Sequence, residues 1–366
     1  MEKKMYLLLS NGQCFEGYSF GAPLSEGVTG EVVFTTGMTG YLETITDPSY
    51  YGQIVVQTFP LIGNYGVISP DFESKKPHLT AYIVKEWCQS PSNFRSEGSL
   101  DTFFLQQGIP AVYGMDTRRL TKVLREQGTM NGILSYEKPD YEVVKEEIKA
   151  YRIQDAVRQA AATEYIQKEE NETGMCQIGL WDFGAKANIE RELKKRGAAV
   201  TLLPPTAKAE EIEALHLDGL MLSNGPGDPQ ENTAIIEELR KLCQTDLPMF
   251  GICLGHQLLA LAHGAQTGKL KYGHRGANQP VKELATGRIY MTSQNHGYAV
   301  LSDTLPKNAE ESFINLNDNS CEGVRYQDHP AFSVQFHPEA SSGPLDTSFL
   351  FDRFIEMVKR GKELCR

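Results

Sequence analysis

The residues best suited to chemistry are Gly251-Ile252-Cys253-Leu254-Gly255. The apolar run Pro248–Cys253 reads as a buried strand that passes directly into a helix, Leu254–His263. A nucleophile at a strand-to-helix junction, with a glycine two residues to either side, is the cysteine form of a nucleophile elbow. Larger side chains would clash in so sharp a turn. The turn puts the thiol at a helix N-terminus, where the dipole and free N–H groups favour thiolate. The N–H of Leu254 is there to bind an oxyanion. A cysteine without such a setting is a small buried hydrophobe. Cys14, Cys88, Cys176, Cys243, Cys321 and Cys365 are read that way.

A thiol nucleophile needs a base, and the base needs an orienting group. Of the eight histidines, His337 ends a strand candidate, Ala331–Phe336, and is followed by Pro338 and Glu339. In an extended segment residues i and i+2 share a side, so Glu339 can meet His337 while Pro338 holds the link extended. A carboxylate there fixes the tautomer and stabilises imidazolium. A third element, Ser223-Asn224-Gly225-Pro226-Gly227-Asp228-Pro229, follows another strand candidate, Gly219–Ser223. Its glycines let backbone N–H groups approach a carbonyl oxygen closely. His256, His263, His274 and His296 lack ligand spacing and read as structural. There is no G-x-x-x-x-G-K-[ST], no G-x-G-x-x-G after a strand and no H-E-x-x-H. ATP bound through a P-loop, NAD and zinc are therefore not expected on this chain.

The elements that must carry these residues alternate regularly. Gln177–Trp181, Ala198–Leu203, Gly219–Ser223 and Pro248–Cys253 read as strands. Asn188–Arg196, Glu210–Leu215, Thr233–Cys243 and Leu254–His263 read as helices between or after them. This predicts an α/β fold, a mostly parallel sheet with helices on both faces and ligands at the carboxyl ends of strands. The first ~135 residues predict a strand-rich β/α domain. Its strand candidates are Met5–Ser10, Gln13–Phe20, Glu31–Thr36, Gln53–Phe59 and Thr80–Trp87, with a hairpin at Asn11-Gly12. One helix is expected there, capped by Asp116 or Thr117, striped by Leu120, Val123 and Leu124, and stopped at Gly128. Residues 138–173 are charged and helix-prone, either a connector or the last helix of the first domain. The expected domains are 1–172 and 173–366.

The chain has 366 residues, enough for two to three domains, and a formal net charge of -11. That balance argues against nucleic acid or an anionic membrane surface as the main partner. No apolar run approaches the ~20 residues of a membrane span. Seven widely spaced cysteines without a C-x-x-C fit a reducing cytoplasm, so Asn171-Glu172-Thr173 is read as a chance sequon.

The Ser223–Pro229 loop, Gly251–Gln257 and His337-Pro338-Glu339, in this order at successive strand ends, resemble class I glutamine amidotransferase domains. The first half carries Thr36-Gly37-Met38-Thr39-Gly40-Tyr41, Thr46-Asp47-Pro48-Ser49-Tyr50, Gln53-Ile54-Val55, Ile62-Gly63-Asn64-Tyr65-Gly66 and Asp116-Thr117-Arg118. With Gly273–Pro280 and Thr292–Tyr298, these resemble the small-subunit family of carbamoyl-phosphate synthases. The resemblance implies hydrolysis of L-glutamine to glutamate and ammonia. The ammonia would pass to a large synthetase subunit that makes carbamoyl phosphate from bicarbonate and ATP. ATP and a divalent metal are then expected on that partner and no cofactor on this chain.

The resemblance also implies a triad of Cys253 as nucleophile, His337 as base and Glu339 as orienter. Gly225 or Gly227, with Leu254, would supply N–H groups to the oxyanion and the substrate. Gln257, Asn295, Gly297 and Tyr298 would hold the substrate's α-amino and carboxylate groups, and Ser49 would close the pocket. Tyr298 stands where phenylalanine is common in the family. Two rivals remain within enzymes: an amidotransferase serving another synthetase, and a stand-alone glutamine or γ-glutamyl hydrolase. The first-half motifs argue against both. Against a non-catalytic regulatory scaffold stand the intact Cys253, His337 and Glu339. The arginine and pyrimidine routes both stay open.

Overall fold

A computed structural model describes residues 3–168, 176–340 and 342–364. They form two compact units. One runs to Gln154 and takes in Lys271–Arg275; the other is Asp155–Leu270 together with the chain from Gly276 onward. The expected boundary at 172/173, the Asn171 sequon and Cys365 lie outside the described residues.

In the first unit seven strands close into a barrel, in the order Lys4–Leu9, Cys14–Gly21, Pro110–Tyr113, Ala81–Ile83, Gln53–Gln57, Val28–Thr35 and Met130–Ser135. The Asn11-Gly12 hairpin is present, pairing Leu8 with Cys14. Period-2 alternation sends neighbouring residues to different apolar clusters. Val32, Phe34, Ile54 and Val56 pack with Met5 and Leu7, whereas Val33, Val55 and Tyr82 pack with Leu42, Ile45 and Phe104. The strand expected over 80–87 is two strands, Ala81–Ile83 and Glu86–Trp87. The helix Thr117–Gln127 starts as expected, with Asp116 accepting the Arg119 N–H at 3.0 Å. It is not alone. Leu100–Gln107 forms another helix, capped by Ser99 and ended by Gly108 in the left-handed conformation, and Tyr41–Thr46 a shorter one. The connector region holds the helix Tyr141–Ala150, capped by Asp140.

The second unit is built on a nine-stranded sheet. Ala199–Leu203, Gln177–Trp181, Gly219–Leu222, Met249–Ile252 and Ala331–Val334 pair in parallel, in that order. Both faces are covered. Leu220, Leu222 and Met249 pack with Ile212, Leu239 and Leu258 from helices on one face. Met221, Phe250 and Ile252 pack with Ile189, Leu193, Phe351 and Phe354 on the other. Cys321–Tyr326, Ala309–Asn315, Thr267–Glu283 and Ile289–Val300 then extend the sheet. This second half was not foreseen, because Thr267–Glu283 contains only Thr267 and Val281 as β-branched residues and carries a proline.

Candidate active site

Four adjacent parallel strands, Gln177–Trp181, Gly219–Leu222, Met249–Ile252 and Ala331–Val334, end on one edge of the sheet. The segment after each contributes to one cluster of polar groups.

Cys253 caps the helix Leu254–Ala262 with φ 53° and ψ -103°, a conformation rare for any residue but glycine. Its N–H is tied to Val334 O at 2.9 Å. Both flanking glycines are sterically required. A Cβ on Gly251 would lie 2.8 Å from Gly255 O, and one on Gly255 would lie 2.4 Å from Leu222 O. Leu254 is the first helical residue, so its N–H has no acceptor within the helix. The thiol is buried and points at Asn295 O, 3.8 Å away.

His337 and Glu339 are both buried, with Nδ1 2.7 Å from Oε1. They meet as expected but for another reason. The strand ends at Val334, and a turn over Pro338-Glu339, with the Ala340 N–H donating to His337 O at 3.3 Å, brings them together. With Nδ1–H given to Glu339, Nε2 is left as the atom that gains or loses a proton, and it has no hydrogen-bond partner among the described residues. Burial and the Lys186 charge push the imidazole down, but Glu339 and the Cys253 thiol outweigh them and hold it up at about 9. Burial pushes the Glu339 carboxyl up, while His337 and Lys186 hold it below its ordinary range.

Sequence reasoning missed Lys186 and Asn188. The Lys186 ammonium lies 3.8 Å from Glu339 Oε1, and the Asn188 amide donates to Glu339 O at 2.7 Å. Their loop is interlocked with the next one. The Phe183 N–H donates to Ser223 Oγ at 2.8 Å and the Lys186 N–H to Asn224 Oδ1 at 2.9 Å. The rule that ligands gather at strand ends applies equally to Gln177–Trp181 and would have pointed here.

In the Ser223–Pro229 loop, Gly225 passes so close to Phe183 that a Cβ would lie 2.3 Å from its carbonyl oxygen, and Gly227 has φ 89°. On the strand Ile289–Val300, half-buried Asn295 and Gly297 alternate with buried Gln294 and His296. The Gln257 amide nitrogen donates to Tyr298 O at 2.8 Å and to Gln335 Oε1 at 2.9 Å. Gln335 is a further residue the sequence did not single out. His256 is fully buried, bonds Ser333 Oγ at 2.8 Å and is pulled down by burial to about 3, a neutral imidazole. Ser49 belongs to the other unit, where it is buried in the turn Pro48–Tyr50 with its N–H on Asp47 Oδ1 at 2.9 Å.

Two family models match the chain: "Carbamoyl-phosphate synthase small chain, CPSase domain" over residues 7–134, and "Glutamine amidotransferase class-I" over residues 180–357. Among its relatives are three proteins named carbamoyl phosphate synthase small chain. That of Listeria monocytogenes serotype 4b is 49% identical over 362 residues, 98% of this chain and 98% of its own. That of Symbiobacterium thermophilum is 49% identical over 96% of this chain and 98% of its own. That of Clostridium perfringens is 49% identical over 96% and 99%. Near-half identity along almost the whole length, with both family models in sequence order, means that the chain belongs to the carbamoyl phosphate synthase small chain family.

Proposed function

We propose that this chain is the glutaminase of a two-chain carbamoyl-phosphate synthase. It hydrolyses L-glutamine and delivers ammonia to a large subunit that makes carbamoyl phosphate from bicarbonate and ATP. The observation that carries this reading is the thiol of Cys253, held at a glycine-flanked elbow beside the His337–Glu339 pair. ATP and its divalent metal belong to the partner, whose ATP chemistry has no motif on this chain.

The chemistry follows from the groups in place. His337 Nε2 takes the thiol proton, and the Cys253 sulfur attacks the side-chain amide carbon of glutamine. The amide oxygen becomes an oxyanion, met by the N–H of Leu254 and by N–H groups of the Gly225–Gly227 loop. Imidazolium then protonates the leaving nitrogen, the carbon–nitrogen bond breaks, and ammonia departs from a thioester. Water, deprotonated by His337, cleaves the thioester to glutamate and restores the thiol. Glu339 fixes the tautomer and offsets the imidazolium charge throughout. Gln257, Asn295, Gly297 and Tyr298 hold the α-amino and carboxylate end. Direct transfer is required, because ammonia released into neutral water becomes ammonium and loses its nucleophilicity.

Ammonia release from L-glutamine, measured on the full chain with and without its large subunit, tests the reading. Cys253→Ser should abolish it while carbamoyl phosphate synthesis from added ammonia persists. Glutamine-dependent synthesis that survives Cys253→Ser would overturn the reading.

A further inference from the structure

Gln257 sits one helical turn after Cys253, with its backbone N–H on Cys253 O at 3.1 Å. Gln257 is 3% exposed, and its side-chain amide has spent both donors, one on Tyr298 O at 2.8 Å and one on Gln335 Oε1 at 2.9 Å. A backbone carbonyl can only accept, so Tyr298 settles which end of the amide is nitrogen. One hydrogen bond from that nitrogen is a hinge; the second, to Gln335 Oε1, fixes the plane of the amide. Among the described residues no donor reaches Gln257 Oε1. The amide can therefore offer the substrate an acceptor and nothing else.

Gln335 is itself an expensive residue. It is fully buried, and its own side-chain nitrogen has no hydrogen-bond partner among the described residues. A buried donor left unpaired costs about 1–3 kcal/mol, so stability does not account for a glutamine here. It stands two residues before His337, with its N–H on Glu322 O at 2.9 Å. One segment thus carries the base and the group that locks Gln257.

We infer that Gln335 is a positioning residue: it holds the Gln257 amide so that Oε1 faces the α-ammonium of the substrate rather than its carboxylate. The inference rests on the glutaminase reading above. A carboxylate would need N–H donors, and Gln257 has none to give.

The test is ammonia release by the full chain from L-glutamine and from 4-carbamoylbutanoate, the same molecule without the α-ammonium. In Gln335→Met, KM for glutamine should rise about tenfold and kcat should stay within about threefold, with no fall in Tm. The preference for glutamine over the analogue should drop by about tenfold. Gln257→Leu should lose the same preference, and the double variant no more than the larger single loss. Gln335→Glu, which keeps an acceptor for the Gln257 nitrogen, should retain the preference and serves if the Met variant does not fold. Unchanged KM, equal losses on both substrates, additive losses in the double variant, or lost preference in Gln335→Glu would each overturn the inference. A wild-type chain that releases no ammonia would overturn the glutaminase reading along with it. An active wild type with unmoved preference in the variants would overturn the role of Gln335 alone.

Discussion

Gly255 stands so close to Leu222 that a Cβ on it would lie 2.4 Å from the Leu222 carbonyl oxygen. The next carbonyl along, Ser223 O, accepts the Gly255 N–H at 3.0 Å. The first turn of the nucleophile's helix is thus pressed directly onto the end of the neighbouring strand. A methyl group there must push the helix and Cys253 away from the oxyanion donors.

Gly255→Ala should therefore cost about 1–3 kcal/mol of stability, as overpacking does. Its glutaminase activity at a temperature where it remains folded should fall much further than that loss explains. Gly98→Ala is the control, since a Cβ at Gly98 meets nothing within 4 Å. It should stay within about 0.5 kcal/mol of wild type. Thermal unfolding of both variants decides; equal Tm values would sink the steric argument.

The elbow was legible in the sequence because its causes are local: two glycines, a cysteine and a change of period within eight residues. His337 was legible through its neighbours, although the turn at Pro338 and not extended chain makes the contact. Asn188 was not, because its partner Glu339 lies 151 residues away and asparagine at a helix start has many other uses. Gln335 was hidden for the same reason. In the first unit, Pro110–Tyr113 is a strand of four residues, too short to establish alternation. Barrel closure by long-range pairing makes it a strand, with Ala111 on both Phe20 and Tyr82.

Glu339 separates orientation from mere packing. Glu339→Gln keeps the shape but removes the charge that raises His337, and it can present a donor to Nδ1. The imidazole is then less basic and free to take the wrong tautomer. Glutamine hydrolysis should fall by roughly 10²–10⁴-fold in kcat, with KM little changed. Steady-state kinetics would show this directly; a variant with wild-type kcat would remove Glu339 from the mechanism.

The same pair predicts how stability varies with pH. The His337 imidazole is raised from 6.5 to about 9, against burial and Lys186, by Glu339 and Cys253. Its protonated form is therefore favoured by folding. That contribution is fully present below pH 6.5 and is lost as pH rises through about 9. Glu339 is depressed, so its contribution is present above the ordinary carboxylate value and fades in acid. Melting curves of wild type and His337→Gln should converge on the alkaline side, and a difference that stays flat across that range would contradict the assignment. Because the Lys186 charge lowers His337, Lys186→Met should move the alkaline loss to higher pH.

In the first unit, two of the motifs shared with the small-subunit family meet in one contact. The helix Tyr41–Thr46 has Gly40 at its N-cap with φ 76° and no side-chain cap of its own. The Tyr65 hydroxyl supplies one from 24 residues on, accepting the Gly40 N–H at 3.1 Å and the Tyr41 N–H at 3.3 Å. The two tyrosine rings stack with centroids 4.1 Å apart, and the Tyr41 hydroxyl donates to Gly66 O at 2.6 Å. Burial, then Glu43, raises the Tyr65 phenol to about 12, so it stays neutral and able to accept. Tyr65→Phe keeps the stack and deletes the cap. It should cost about 0.5–2 kcal/mol, the usual worth of an N-cap. Tyr65→Leu should cost a further ~1 kcal/mol for the lost ring pair. Denaturant unfolding of the two variants separates these contributions. A Tyr65→Phe protein as stable as wild type would mean that the hydroxyl caps nothing of consequence.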